Sequence, residues 1–138
     1  MTKSIWLNLP VKDISKSKTF FSKLGFKLNL EYGSRPDSAS FFIGDNNFVL
    51  MLFEQQLYES FVGAKLSNER SGTEVLFSID AESVEEVDEM AQKVLEAGGT
   101  LYAEPGFKDG WMYGCGFTDL DGQRWSLLYM DWSKMPLG

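Results

Sequence analysis

Few residues of this chain can do acid–base, nucleophilic or metal chemistry. Histidine is absent, and Cys115 is the one cysteine. Histidine is the commonest metal ligand and the usual proton carrier near neutral pH. A Ser-His-Asp triad, a Cys-His pair and a histidine-built zinc or iron site are therefore excluded. What remains is carboxylates, hydroxyls, aromatic rings and backbone groups. Cys115 stands between Gly114 and Gly116. A reactive thiolate needs a nearby cation or helix N-terminus, and nothing local supplies one, so Cys115 reads as a small buried thiol. Glu74 opens an apolar strand pattern. In an apolar cleft its carboxyl would be raised and suited to proton transfer, or it would anchor a cationic ligand. The plainer alternative is a strand-start carboxylate, solvated or paired with Arg124 or Arg70.

The second group able to recognise a ligand is aromatic and thioether-bearing. Trp6, Phe41, Met51, Trp111 and Met112 can line a cleft where flat rings stack on planar molecules or face cations. Trp6 and Asn8 lie opposite the core-facing Leu7 and Leu9, so they read as cleft residues. Tyr113 and Ser126 are candidates for polar contacts. Trp125, directly after a hairpin turn, reads as core. Gly114 and Gly116 inside a strand signal a bend or a close approach.

These residues need elements to hold them. Ile5 to Val11 alternates and predicts a strand, with Pro10 at its end or on a sheet edge. Asp13 caps a helix whose apolar stripe is Ile14, Phe20, Phe21 and Leu24, and Gly25 stops it. Strands follow over Phe26–Tyr32, Ala39–Ile43 and Phe48–Glu54. The last is a nearly unbroken apolar run, as expected of a strand covered on both faces. Gln55 to Gly72 reads as a connector with a helical turn around Leu57 to Phe61. Glu74–Asp80 is the next strand. Ser83 and Glu86 form a capping box, and Val84, Val87, Ala91, Val94 and Leu95 form the stripe of the second long helix. Strands over Thr100–Glu104, Trp111–Phe117 and Arg124–Met130 complete the pattern, with Pro105–Gly110 as a loop or lid. The order βαβββ thus occurs twice, over residues 4–56 and 73–131, joined by 57–72 and followed by a tail, 132–138. The expected fold is α+β. Its two βαβββ modules make one curved mixed sheet with a concave ligand cleft and helices outside.

Composition bounds the function. Twenty acidic residues against 13 basic ones leave a net charge of −7. The one cluster of lysines, at positions 12, 16, 18, 23 and 27, fits the solvated face of a helix. Nucleic-acid binding, which needs a basic patch, is not expected. No apolar run reaches the roughly 20 residues of a membrane span. Met1–Ser4 lead directly into a strand pattern, so no signal peptide is expected. A single cysteine fits a reducing compartment, hence the cytoplasm.

Two stretches carry a family resemblance. Asn8-Leu9-Pro10-Val11-Lys12-Asp13, with Phe20-Phe21 and Leu24-Gly25-Phe26, resembles the opening of vicinal-oxygen-chelate proteins. Phe117-Thr118-Asp119-Leu120-Asp121-Gly122-Gln123-Arg124-Trp125 resembles their closing turn, usually Asp-Pro-Asp-Gly. That group holds glyoxalases, extradiol dioxygenases, and fosfomycin- and bleomycin-resistance proteins. Most catalytic members hold a divalent metal. Carried over by position, the resemblance puts the metal ligands on Trp6, Met51, Glu74 and Ser126, of which Glu74 alone is a metal donor. It therefore implies a member of the fold without a metal or other cofactor. The expected function is binding of a small aromatic or cationic molecule, sequestering a drug or metabolite. The alternative is a glyoxalase- or dioxygenase-type enzyme (a lyase, isomerase or ring-cleaving oxygenase) with Glu74 as base. The resemblance also implies a homodimer, and the tail offers Trp132, Met135 and Leu137 to a partner.

Overall fold

A computed structural model of the chain describes residues 1–30, 35–66 and 75–135. It divides into two compact units, Met1–Arg70 and Ser71–Gly138. The first holds β1 (Trp6–Val11), α1 (Ile14–Lys23), β2 (Lys27–Leu28), β3 (Ser38–Ile43), β4 (Phe48–Glu54) and α2 (Gln55–Val62). The second holds β5 (Leu76–Asp80), α3 (Val84–Glu96), β6 (Thr100–Lys108), β7 (Met112–Thr118), β8 (Arg124–Met130) and a single 3-10 turn, Trp132–Lys134. The sheet orders are β1-β4-β3-β2 and β5-β8-β7-β6, so the two units repeat one topology. In each, the first strand runs parallel to the last, and the other neighbours are antiparallel. The doubled βαβββ pattern expected from the sequence is present, as two four-stranded sheets with three helices.

Local chemistry explains the boundaries. The Asp13 carboxylate accepts the Lys16 N–H at 3.0 Å and starts α1; Gly25, at φ 97°, ends it. Ser83 Oγ accepts the Glu86 N–H at 3.1 Å, and Glu86 reaches back to the Glu82 N–H at 2.7 Å. This is the capping box shifted back by one residue on its return arm. Pro10 sits on β1, an end strand of its sheet, where a missing N–H is tolerated.

Strand parity sorts every side chain. In the first sheet Leu7 pairs with Leu50, Leu9 with Leu52, and Leu50 with Phe41. Leu9, Leu50, Leu52, Ala39 and Phe41 are buried together with Phe20 and Phe21 of α1, and Phe21 lies 6.0 Å from Phe41. This is the helix face. Trp6, Asn8 and Met51 fall on the opposite face. In the second sheet Cys115 and Leu127 are buried against Ala81, Val87 and Ala91, with Ile79, Leu101, Tyr113 and Tyr129 packed around them.

Three expectations need correction. β4 is not covered on both faces: Leu50 and Leu52 are fully buried, while Phe48 is exposed and Met51 and Phe53 are half-buried. Its continuous apolar run reflects an apolar opposite face rather than a second helix layer. Pro105–Gly110 is mostly strand, since β6 continues to Lys108. β6 is an end strand with register shifts at Leu101/Ala103 and Ala103/Gly106, which lets it accept Pro105. The lid reduces to a tight turn at Asp109 and Gly110, both at positive φ. The helical turn in the connector is a two-turn helix, α2, which starts directly from β4. The Glu54 carboxylate accepts the N–H groups of Gln56 and Leu57, and Gly63 ends the helix at φ 70°.

The turn before β8 is held by one buried carboxylate. Asp119 Oδ1 accepts the N–H groups of Asp121 and Gln123, each at 3.0 Å, and Oδ2 accepts the Trp125 indole N–H at 3.1 Å. Trp125 is buried, as expected, and stacks parallel to Phe117. Replacing Asp119 by alanine strands three donors and should cost about 2–4 kcal/mol, read as a lower urea midpoint. Burial pushes the Asp119 carboxyl up to about 6 from 3.8, against the pull of its three donors. The folded state thus holds this proton more tightly than the unfolded chain. Its contribution is complete below about pH 4 and is lost as the pH rises through about 6. The urea midpoint should fall across that window in the parent protein, and the fall should be absent in Asp119→Asn; equal slopes would refute the assignment.

Candidate functional site

A largely aromatic cleft of about 400 Å³ opens on the first unit, lined by Trp6, Asn8, Phe53, Tyr58, Phe61 and Val62. Its floor is the opposite face of the first sheet. Trp6 and Asn8 come from β1, and Phe53 comes from the neighbouring β4, which pairs in parallel with β1. Its wall is α2, which presents Tyr58, Phe61 and Val62 from adjacent turns. Phe53 and Phe61 meet edge to face at 5.0 Å and fix the helix against the sheet. Apolar surface is left in water here: Trp6 is 56% exposed, Phe61 64% and Val62 51%. Such a patch, concave and rimmed by polar groups, is the ordinary signature of a binding surface. Three polar groups on the lining are unspent. Among the described residues, the Asn8 carboxamide, the Tyr58 hydroxyl and the Trp6 indole N–H make no side-chain hydrogen bond.

The residues expected at the site separate. Trp6 and Asn8 line the cleft, and Met51 stands beside Asn8 in register on the same face. Phe41 does not belong there. It pairs with Leu50 on the helix face and is completely buried. Met112 and Ser126 lie on the opposite face of the second sheet, but Tyr113, one residue on from Met112, must turn to the helix side. Its hydroxyl donates to Asp88 of α3 at 2.6 Å, and that bond holds the phenol above its usual pKa. Trp111 sits in the β6–β7 turn, 5.5 Å from Trp132. Ser126 Oγ is hydrogen-bonded to Ser78 Oγ at 2.7 Å. Glu74, and its suggested partner Arg70, lie outside the described residues. The wall residues Tyr58, Phe61 and Val62 were not legible, because their segment lacked a strand period and read as a connector. The signal available was the spacing of Tyr58, Phe61 and Val62, an i, i+3, i+4 stripe.

The two glycines flanking Cys115 are close-approach positions. A Cβ on Gly114 would lie 2.5 Å from the Leu127 carbonyl oxygen, and one on Gly116 would lie 2.3 Å from the Tyr102 ring. Cys115 between them faces the core, and burial, with Asp88 second, pushes its thiol up to about 11.

The family model for the Glyoxalase/Bleomycin resistance protein/Dioxygenase superfamily matches residues 3–127, and the chain belongs to that superfamily. Among solved structures it is similar to a hypothetical protein from S. aureus, 35% identical, with a TM-score of 0.81 and 94% of each chain covered. It shares its fold with a glyoxalase/bleomycin resistance protein/dioxygenase family enzyme from Burkholderia phytofirmans PsJN, at 20% identity, 91% and 96% coverage and a TM-score of 0.77. The same holds for a lactoylglutathione lyase from Agrobacterium tumefaciens, at 15% identity, 97% and 98% coverage and a TM-score of 0.66. None of the curated proteins matches the chain.

The divalent metal implied by the family resemblance does not fit the described residues at its positions. Trp6 brings an indole with no ligating lone pair, Met51 a soft thioether, and Ser126 a hydroxyl already bonded to Ser78. Among the described residues no three His, Cys, Asp or Glu side chains cluster. Among them, too, no helix is long and apolar enough to cross a membrane.

Two outcomes test this geometry. Gly114→Ala must move backbone and should cost about 1–3 kcal/mol, whereas Gly116→Ala can displace the Tyr102 ring and should cost less; thermal melts of both variants rank them. Cys115 should react with a thiol reagent at neutral pH only as fast as the protein opens, and rapidly in urea. Fast labelling of the folded protein would refute its burial.

Proposed function

We propose that the chain binds a small, flat, predominantly apolar molecule in the cleft between α2 and the first sheet, and does so without a metal. The cleft carries the reading. Four aromatic side chains, Trp6, Phe53, Tyr58 and Phe61, surround a volume of about 400 Å³, within the range of about 300–1,000 Å³ usual for small-ligand sites. Rings offer stacking and edge contacts to a planar ligand. Asn8, Tyr58 and the Trp6 indole N–H supply the few polar contacts that fix orientation. The donor chemistry at the positions of the family's metal ligands supports binding that does not pass through a metal. A role in holding a drug or metabolite out of circulation follows from such binding, and the superfamily includes bleomycin resistance proteins.

The test uses the full chain and the probe anilinonaphthalene sulfonate, which should quench tryptophan emission saturably, with the same midpoint before and after EDTA treatment. Trp6→Ala and Phe61→Ala should each weaken binding by about 1–2 kcal/mol, five- to thirtyfold in Kd. Binding that disappears with EDTA, or that both variants retain in full, would overturn the proposal.

A further inference from the structure

On the opposite face of the second sheet one guanidinium is propped up on an aromatic ring, and no carboxylate among the described residues pairs with it. β6 carries a register shift between Leu101 and Ala103, so Tyr102 is the residue released from the ladder. The released side chain lies across β7, where Gly116 has no Cβ to obstruct it; a Cβ there would come within 2.3 Å of the ring. The Tyr102 hydroxyl donates to the Trp125 carbonyl oxygen at 3.1 Å, which fixes the far end of the ring. The guanidinium carbon of Arg124 sits 4.5 Å from the ring centroid. A bulge, a glycine and a tethered phenol thus build a platform for one cation.

Stacking uses the flat face of a guanidinium and leaves its N–H edges free. Among the described residues Arg124 forms no ion pair, in a chain with 20 carboxylate side chains against 13 basic ones. Hydroxyls share its face of the sheet. Thr118 stands directly across the ladder from Arg124 and is hydrogen-bonded to Thr100. Ser126, two residues along the same face, is bonded to Ser78. Fixed N–H donors in a fork, with hydroxyls on the same face, suit a planar or tetrahedral oxyanion.

We propose that Arg124, held by Tyr102, is the anchor of an oxyanion site on the second sheet, taking the carboxylate or phosphate group of a small molecule. The site stands on residues of the second unit alone and does not depend on the aromatic cleft of the first.

The experiment is a nitrogen-15 NMR titration of the full chain at constant ionic strength, with inorganic phosphate in one arm and benzoate in the other. Saturable shifts should appear at the Arg124 side-chain Nε–H and at the amides of Thr118 and Ser126. A response to phosphate alone, or to benzoate alone, assigns the source of the anion; a response to both assigns the shared chemistry. Arg124→Gln should weaken binding at least about tenfold, and Arg124→Lys, which keeps the charge but not the fork, should also weaken it. Tyr102→Leu keeps the charge, removes the platform and should weaken binding about threefold. Shifts that never saturate in either arm, or undiminished binding by Arg124→Gln, would overturn the site. Undiminished binding by Tyr102→Leu would overturn the platform.

Discussion

The alternation of side chains along a strand is the constraint from which both units take their organisation. Each sheet packs a long helix, α1 or α3, against one face, and every second residue of each strand is thereby committed to the core. Leu50 and Leu52, and Cys115 and Leu127, are buried for this reason. The residues between them are released for other work. Trp6, Asn8 and Phe53 belong to that released set in the first unit, and Ser78, Arg124 and Ser126 belong to it in the second. Helix burial on one face and exposure on the other are thus two outcomes of one periodicity, and a one-residue slip in register would exchange them.

The repeated topology does not produce repeated chemistry. In the first unit the released face is aromatic, and α2 folds back from β4 to make a wall against it. In the second it is hydroxyl-rich and, among the described residues, carries one stacked guanidinium. Both features arise where the ladder is interrupted or exits: α2 begins directly after the last residue of β4, and Tyr102 is freed by a bulge. Specificity in a shared scaffold comes from such departures, since the common strands are occupied with holding the fold together.

Membership of the Glyoxalase/Bleomycin resistance protein/Dioxygenase superfamily defines the fold and leaves the reaction open, because one scaffold hosts many chemistries. The solved relative at 35% identity is itself a hypothetical protein. An indole, a thioether and a hydroxyl occupy three of the positions where the resemblance implies metal ligands, and the cleft beside the first sheet is lined largely by aromatic rings.

The element order, the helix caps at Asp13 and Ser83, the stop at Gly25, and the burial of Trp125 and Cys115 were legible in the sequence. These follow from local rules, namely periodicity, capping geometry and turn chemistry, which need no knowledge of distant residues. Phe41 and Tyr113 were assigned to the wrong face because parity within one strand says nothing until its pairing with the next is known. Pro105–Lys108 was read as a loop because proline and glycine mark turns, and only the sheet's edge made a strand of them. The wall formed by α2 and the Tyr102–Arg124 stack likewise depend on contacts between residues far apart in the chain. Sequence periodicity by itself determined which residues alternate and where each element ends. Tertiary packing alone decided which alternate set faced a helix and which stayed free to meet a ligand, because burial is a property of neighbours that the chain acquires only on folding.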